Sequence, residues 1–119
     1  MQNNIVTTTV TPSAVAPIGT SINISGNTAG ADEYVYGIIV RPNKVADSPA
    51  SIVTSGECFA LVDGDSTDVA AEDMLKSDAS GNLVVATAYG TSSTDTEESH
   101  IVALEANTGA AALKKVLVK

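Results

Sequence analysis

His100 is the only histidine in the chain, and Ser99 stands directly before it. A serine, a histidine and an acid can form a hydrolytic relay when the imidazole lies beside the hydroxyl and a carboxylate orients it. Neighbours in an extended strand face opposite ways, so Ser99 and His100 are badly placed as nucleophile and base. The chain also lacks the G-x-S-x-G elbow that lifts a serine onto a strand-to-helix turn. His100 reads as a surface residue at the start of a strand. Asp63-Gly64-Asp65-Ser66-Thr67-Asp68 is dense in oxygen ligands and invites comparison with a calcium loop. An EF-hand loop beginning there needs glycine at its sixth position and glutamate at its twelfth, and those positions hold Asp68 and Met74. Turn formation and helix capping are the simpler roles for these acids.

Three further acid pairs, Asp32-Glu33, Glu72-Asp73 and Glu97-Glu98, could serve acid–base chemistry if burial kept one member protonated. They lie in or beside polar segments, so solvation is the expected state. Cys58 is the only cysteine, which excludes an internal disulfide and any Cys–His zinc spacing. No cation neighbours it in sequence to favour a thiolate, so a buried, inert thiol is expected. A phosphate-cradling G-x-x-x-x-G-K loop is absent. These residues predict no catalytic, cofactor or metal site, and a protein that is not an enzyme.

The elements around these groups follow from composition. A chain of 119 residues is expected to form one domain. Trp is absent, Phe59 is the only Phe, and there are three Tyr, so Val, Ile, Leu and Ala must build the core. A net charge of −8 opposes nucleic-acid binding, which needs clustered Lys or Arg. Three of the six basic residues, Lys114, Lys115 and Lys119, fall at the very end. They fit either docking to a complementary surface or protection of an edge strand. Residues 1–20 show no charged and apolar leader pattern, and no apolar run approaches a membrane span, so assembly in the cytoplasm is expected.

Residues 1–16, MQNNIVTTTVTPSAVA, are Thr-rich and uncharged along their length. Their β propensity and Pro12 predict an extended N-terminal arm, with two fates open to it: a disordered tail, or strand addition along a neighbouring subunit, which the β propensity and lack of charge favour. Residues 17–119 are expected to form a single β-rich domain. Strands are predicted over 20–24, 34–40, 57–62, 83–89, 101–106 and 113–118, with Gly37 marking a bulge or a close backbone approach. Residues 42–56 read as Pro/Ser-rich irregular chain with a short apolar piece at Ile52 and Val53. Thr67 or Asp68 is placed to cap a short helix over 69–74. Residues 90–99 read as a polar loop. In the last strand, period two sets Val116 and Val118 on one face, with Leu113 and Leu117 on the other. The expected fold is mainly β: a compact β-barrel or sandwich with one short helix and an extended N-terminal arm.

Three segments together resemble the bacteriophage capsid cement, or head-decoration, proteins. They are YVYGIIV at 34–40, AAEDMLKSDASGNLVVAT at 70–87, and IVALEANTGAAALKKVLVK at 101–119. The resemblance covers about residues 18–119 and departs from the family pattern where Leu113-Lys114-Lys115 interrupts a small-residue linker. It implies a structural virion protein on the outer surface of an icosahedral shell. Such a protein would bind the major capsid protein, act as a homotrimer and cement the expanded shell, with no nucleic acid or membrane partner. Contact residues are then expected in the arm, at Ile5, Val6, Thr7, Thr8, Thr9 and Val10, and in the basic end, at Lys114, Lys115 and Lys119. The Thr/Ser-rich loops on a β scaffold keep a second reading open: a surface-displayed module that binds a host or a glycan.

Overall fold

The computed structural model describes residues 5–31, 33–65, 67–86 and 101–119. Its strands are β1 (Val6–Val10), β2 (Ser21–Ile22), β3 (Gly37–Arg41), β4 (Ala50–Val62), β5 (Met74–Ser77), β6 (Leu83–Val85), β7 (Ile101–Ala103) and β8 (Ala112–Val118). The fold is mainly β, with a closed five-stranded barrel at its centre. Among the described residues no helix is long and apolar enough to cross a membrane.

β4 organises the whole molecule. It runs for 13 residues and belongs to two sheets. Its first half lies between β1 and β3, with β2 on the far side of β3. Its second half pairs antiparallel with β8, from Gly56 opposite Val118 to Val62 opposite Ala112. The order β4-β6-β5-β7-β8 then returns to β4, which closes the barrel. Gly56 stands where β1 hands over to β8, and its φ of 115° lies in a region that disfavours L side chains. A glycine there lets one strand turn from an open sheet into a barrel wall.

The strand expected over 57–62 extends back to Ala50, through residues expected to be irregular. Ser51, Thr54 and Ser55 hide the pattern because they occupy half-exposed positions. Ile52 and Val53 are both buried although adjacent, since this half of β4 is covered on both faces. Ile52 packs with Ala16, Ile22, Ile39 and Ala50 beneath the 11–18 segment, and Val53 packs with Ile38 against the barrel cluster. Gly37 makes the expected close approach: a Cβ there would lie 2.7 Å from Ile52 Cδ1 and 2.8 Å from the Val53 carbonyl oxygen.

The barrel interior explains the lack of aromatics. Inward positions carry Cys58, Ala60 and Val62 from β4, Leu83 from β6 and Leu75 from β5, with Ile101 and Ala103 from β7 and Val116 and Val118 from β8. A five-stranded barrel is narrow, and small and branched groups fill it. The Ser77 hydroxyl, buried on the same face, donates to the Gly30 and Glu33 carbonyls and so draws the 29–35 loop across the barrel, where Ala29 and Val35 join the core.

The short helix expected over 69–74 does not form. Val69 instead bridges Asn107, each donating its N–H to the other's carbonyl at 2.9 Å. Asp73 donates its N–H to the Ala70 carbonyl at 3.1 Å and accepts the Ala70 N–H at 2.8 Å through its carboxylate. Glu72 then adopts a left-handed φ of 78° and donates its N–H to the Ala103 carbonyl at 2.6 Å. So short a segment cannot recover the cost of helix nucleation when sheet partners are at hand on both sides. The stretch expected to be an extended arm is extended over Val6–Val10, but this strand lies on the chain's own β4. Residues 11–18 follow as a covering segment held by Asn43, which accepts the Ala16 N–H and donates to the Ala14 carbonyl.

Candidate interaction surface

Alternation in the second half of β4 sets the candidate surface. Cys58, Ala60 and Val62 point inward, so Glu57, Phe59 and Leu61 must point outward. Across the antiparallel ladder, Phe59 lies opposite Lys115, Leu61 opposite Leu113, and Glu57 opposite Leu117. The only phenylalanine in the chain is therefore not in its core. Phe59 is 50% exposed and Leu113 is 41% exposed. Half-buried Leu61 lies between them and the 17–20 segment: its N–H donates to the Gly19 carbonyl at 2.9 Å, and the Leu113 side chain reaches over Gly19. Ile18, also exposed, extends the apolar surface from there.

Lys115 is fixed by its backbone. Its N–H donates to Glu105 Oε1 at 2.9 Å, and its carbonyl accepts the Leu104 N–H at 2.9 Å. The arrangement is an aromatic and aliphatic centre with a cation across the ladder from the ring and acids at its margin. It can supply desolvated apolar area together with charge-directed orientation. Aromatic residues are enriched at the buried centres of protein–protein interfaces, and a charge at the rim directs orientation more than it adds affinity.

The three lysines do not act together. Lys115 sits beside Phe59 on the outer face, Lys114 opposite Ala60 on the inner face, and exposed Lys119 just past β8. β4 pairs with β8 over the whole length of β8, whereas β7 pairs with it only over Val116–Val118, so Lys114 and Lys115 lie where β8 is laddered on one side. Ile5, Val6, Thr7 and Thr9 are exposed on or beside β1, while Thr8 and Val10 are half-buried. They lie along the other half of β4, with Val6 opposite Ser55. Ser55 and Phe59 are four residue steps apart along the strand, about 13 Å. The expected contact residues thus form two separate surfaces. Phe59, Leu61 and Leu113 were not among them. The period-two pattern carries a signal for Phe59 and Leu61, whose strand neighbours Cys58, Ala60 and Val62 are buried.

The reactive groups take structural roles where the structure describes them. Burial pushes the Cys58 thiol up to about 12, so it stays protonated at any ordinary pH. Asp63 Oδ1 accepts the Asp65 N–H at 2.9 Å, and Asp78 Oδ1 accepts the N–H groups of Ser80 and Asn82 at 2.8 and 3.0 Å. Among the described residues, no three His, Cys, Asp or Glu side chains gather as a metal site would require. His100, Ser99, Glu97, Glu98 and the 90–99 loop lie outside the described residues, as do Asp32 and Ser66. No protein-family model matches the chain, and no curated protein matches it.

Proposed function

We propose that this chain is a structural protein that binds the outer surface of a bacteriophage capsid and cements the expanded shell, working there as a trimer. One observation carries the reading: the only phenylalanine stands half-exposed on the barrel wall, opposite Lys115 and beside exposed Leu113. A chain so short of aromatics has no surplus ring, and this one adds nothing to either core cluster. Its place suits an interface, where burying a ring contributes more than it does half in water. The resemblance of residues 18–119 to cement proteins supplies the partner, the major capsid protein. Shell stabilisation then needs no chemistry. A protein that binds the assembled shell and not its free subunits shifts the assembly equilibrium by mass action. Many copies multiply a modest contact.

The test is occupancy on empty expanded capsids, measured by co-sedimentation. Saturable binding is expected, with Phe59→Ala reducing occupancy at least about tenfold if the ring anchors the interface. Capsids that bind none of the native protein, beside a glycan array with clear hits, would replace this reading with that of a ligand-binding module.

A further inference from the structure

We infer that the open edge of β1 pairs antiparallel with the β1 edge of a second copy, about a two-fold axis through Thr8. β1 is hydrogen-bonded to β4 on one side, and among the described residues no strand pairs with its other edge. Proteins guard such edges with charge, proline, a bulge or a cover. Val6–Val10 carries no charge and no proline, and its one irregularity lies at the Val6/Thr7 end. The edge is left able to pair.

The sequence of that edge identifies the occupant. Val6-Thr7-Thr8-Thr9-Val10 reads the same in both directions. An antiparallel copy therefore places Thr8 opposite Thr8, Thr7 opposite Thr9, and Val6 opposite Val10. A two-fold interface requires this self-complementarity, because residue i must meet j while j meets i. Threonine pairs and β-branched pairs are also favourable across a ladder. Depending on which residues turn their amides outward, the register forms about four to six backbone hydrogen bonds.

Charge and size set the strength. Each copy carries −8, but the paired edges hold no ionisable side chain, so repulsion acts only at longer range and salt screens it. An edge of about 17 Å is much smaller than the contact of a stable dimer, which buries about 1,200 Å² or more. The pair is consequently weak in dilute solution and grows with protein concentration and ionic strength. Copies held side by side on a surface would pair far more readily, because their effective concentration is high. The contact does not depend on what that surface is.

Thr8→Cys in the full chain tests it directly. At the axis the two introduced thiols face each other with Cβ atoms about 4.5–5.5 Å apart, close enough for a disulfide after small adjustment. Thr108→Cys, on an exposed turn, is the control. Mild oxidation should give covalent pairs on a denaturing gel for Thr8→Cys, several-fold above the control. Native Cys58, buried in the barrel, should contribute none. Light scattering of the native chain should show mass rising with concentration, and more steeply in high salt. Thr8→Lys should flatten that rise and keep the circular dichroism of a folded chain. Because Thr8 is half-buried opposite Ile52, exposed Thr9→Lys is the second variant and should lower the rise at an unchanged melting temperature. Cross-linking no greater than the control, or a mass profile that Thr8→Lys does not alter, would overturn the pairing. A three-fold mass without Thr8→Cys cross-links would do the same. Shell binding and edge pairing are read separately, so either can fail without the other.

Discussion

Replacing Asn107 by alanine should weaken the barrel through the loss of three side-chain hydrogen bonds at once. The Asn107 amide donates to the Val62 carbonyl at 2.6 Å and to the Ala110 carbonyl at 3.2 Å. Its side-chain oxygen accepts the Gly109 N–H at 3.1 Å. Its backbone pairs reciprocally with Val69, and the Gly64 backbone is pressed so closely against its carbonyl that no side chain fits there. One residue thus ties the end of β4 to the start of β8 and to the turn before β5. Each net hydrogen bond contributes about 0.5–1.5 kcal/mol, with the partly buried bond to Val62 at the high end and the two turn bonds at the low end. The expected loss is about 2–3 kcal/mol. A 119-residue chain shifts its melting temperature by about 4 °C per kcal/mol, so Asn107→Ala should melt about 8–12 °C lower. Urea unfolding is the deciding assay: the midpoint should fall while the slope stays constant, as for a pure stability change. Thr108→Ala, on the exposed neighbour, should stay within about 0.5 kcal/mol of the native protein. If Asn107→Ala also stays within that limit, the side chain is a turn residue and not the tie described.

Cys58 predicts a pH dependence. Burial raises its folded value from 9.0 to about 12, so above pH 9 the unfolded chain loses a proton that the folded chain keeps. Its contribution to stability is whole below pH 9 and is lost as pH rises towards 12, with a slope of about 1.4 kcal/mol per pH unit. Urea midpoints of Cys58→Ala should lack this component when compared with the native chain across the window; parallel curves would refute it. Leu83→Ala empties part of the barrel interior and should cost about 2–5 kcal/mol, whereas half-exposed Phe59→Ala should cost about 1 kcal/mol. Equal costs for the two would place Phe59 in the core. Gly37→Ala must displace Ile52 or the Val53 carbonyl and should cost about 1–3 kcal/mol by the same unfolding assay.

The barrel strands were legible wherever alternation ran clean. Val116 and Val118 against Leu113 and Leu117 gave the wall of β8, and the core of Val, Ile, Leu and Ala followed from the missing aromatics. The first half of β4 was illegible because the 11–18 segment covers Ile52 on one face and the barrel cluster covers adjacent Val53 on the other, which no period-two pattern records. The helix over 69–74 was misread because a cap, an acid and a few apolar residues describe a turn equally well. The Ala103 carbonyl and the Val69–Asn107 bridge decide between them, and both are distant in sequence. Of the candidate surface, the sequence supplied Lys115. For Phe59 it carried only the alternation with Cys58 and Ala60, which competes with the general preference of aromatic residues for a core.

β4 gives the two surfaces their relation. Its first half holds β1, with the uncharged, self-complementary edge, and its second half displays Phe59 opposite Lys115. Both halves are packed: Val53 and Cys58 lie in one buried cluster on either side of Gly56. A strand so enclosed moves as a unit, and its surfaces keep a fixed separation and angle. A unit that docks through the barrel face therefore presents its β1 edges at fixed positions, and only a lattice of matching spacing can bring two of them together. That restriction separates the two contacts by experiment. Gly56→Val strains the left-handed junction and should disturb their relative orientation. Thr8→Lys should remove edge pairing and leave barrel-face docking intact, while Phe59→Ala should do the reverse. If each substitution weakened both contacts equally, the two surfaces would have to be one.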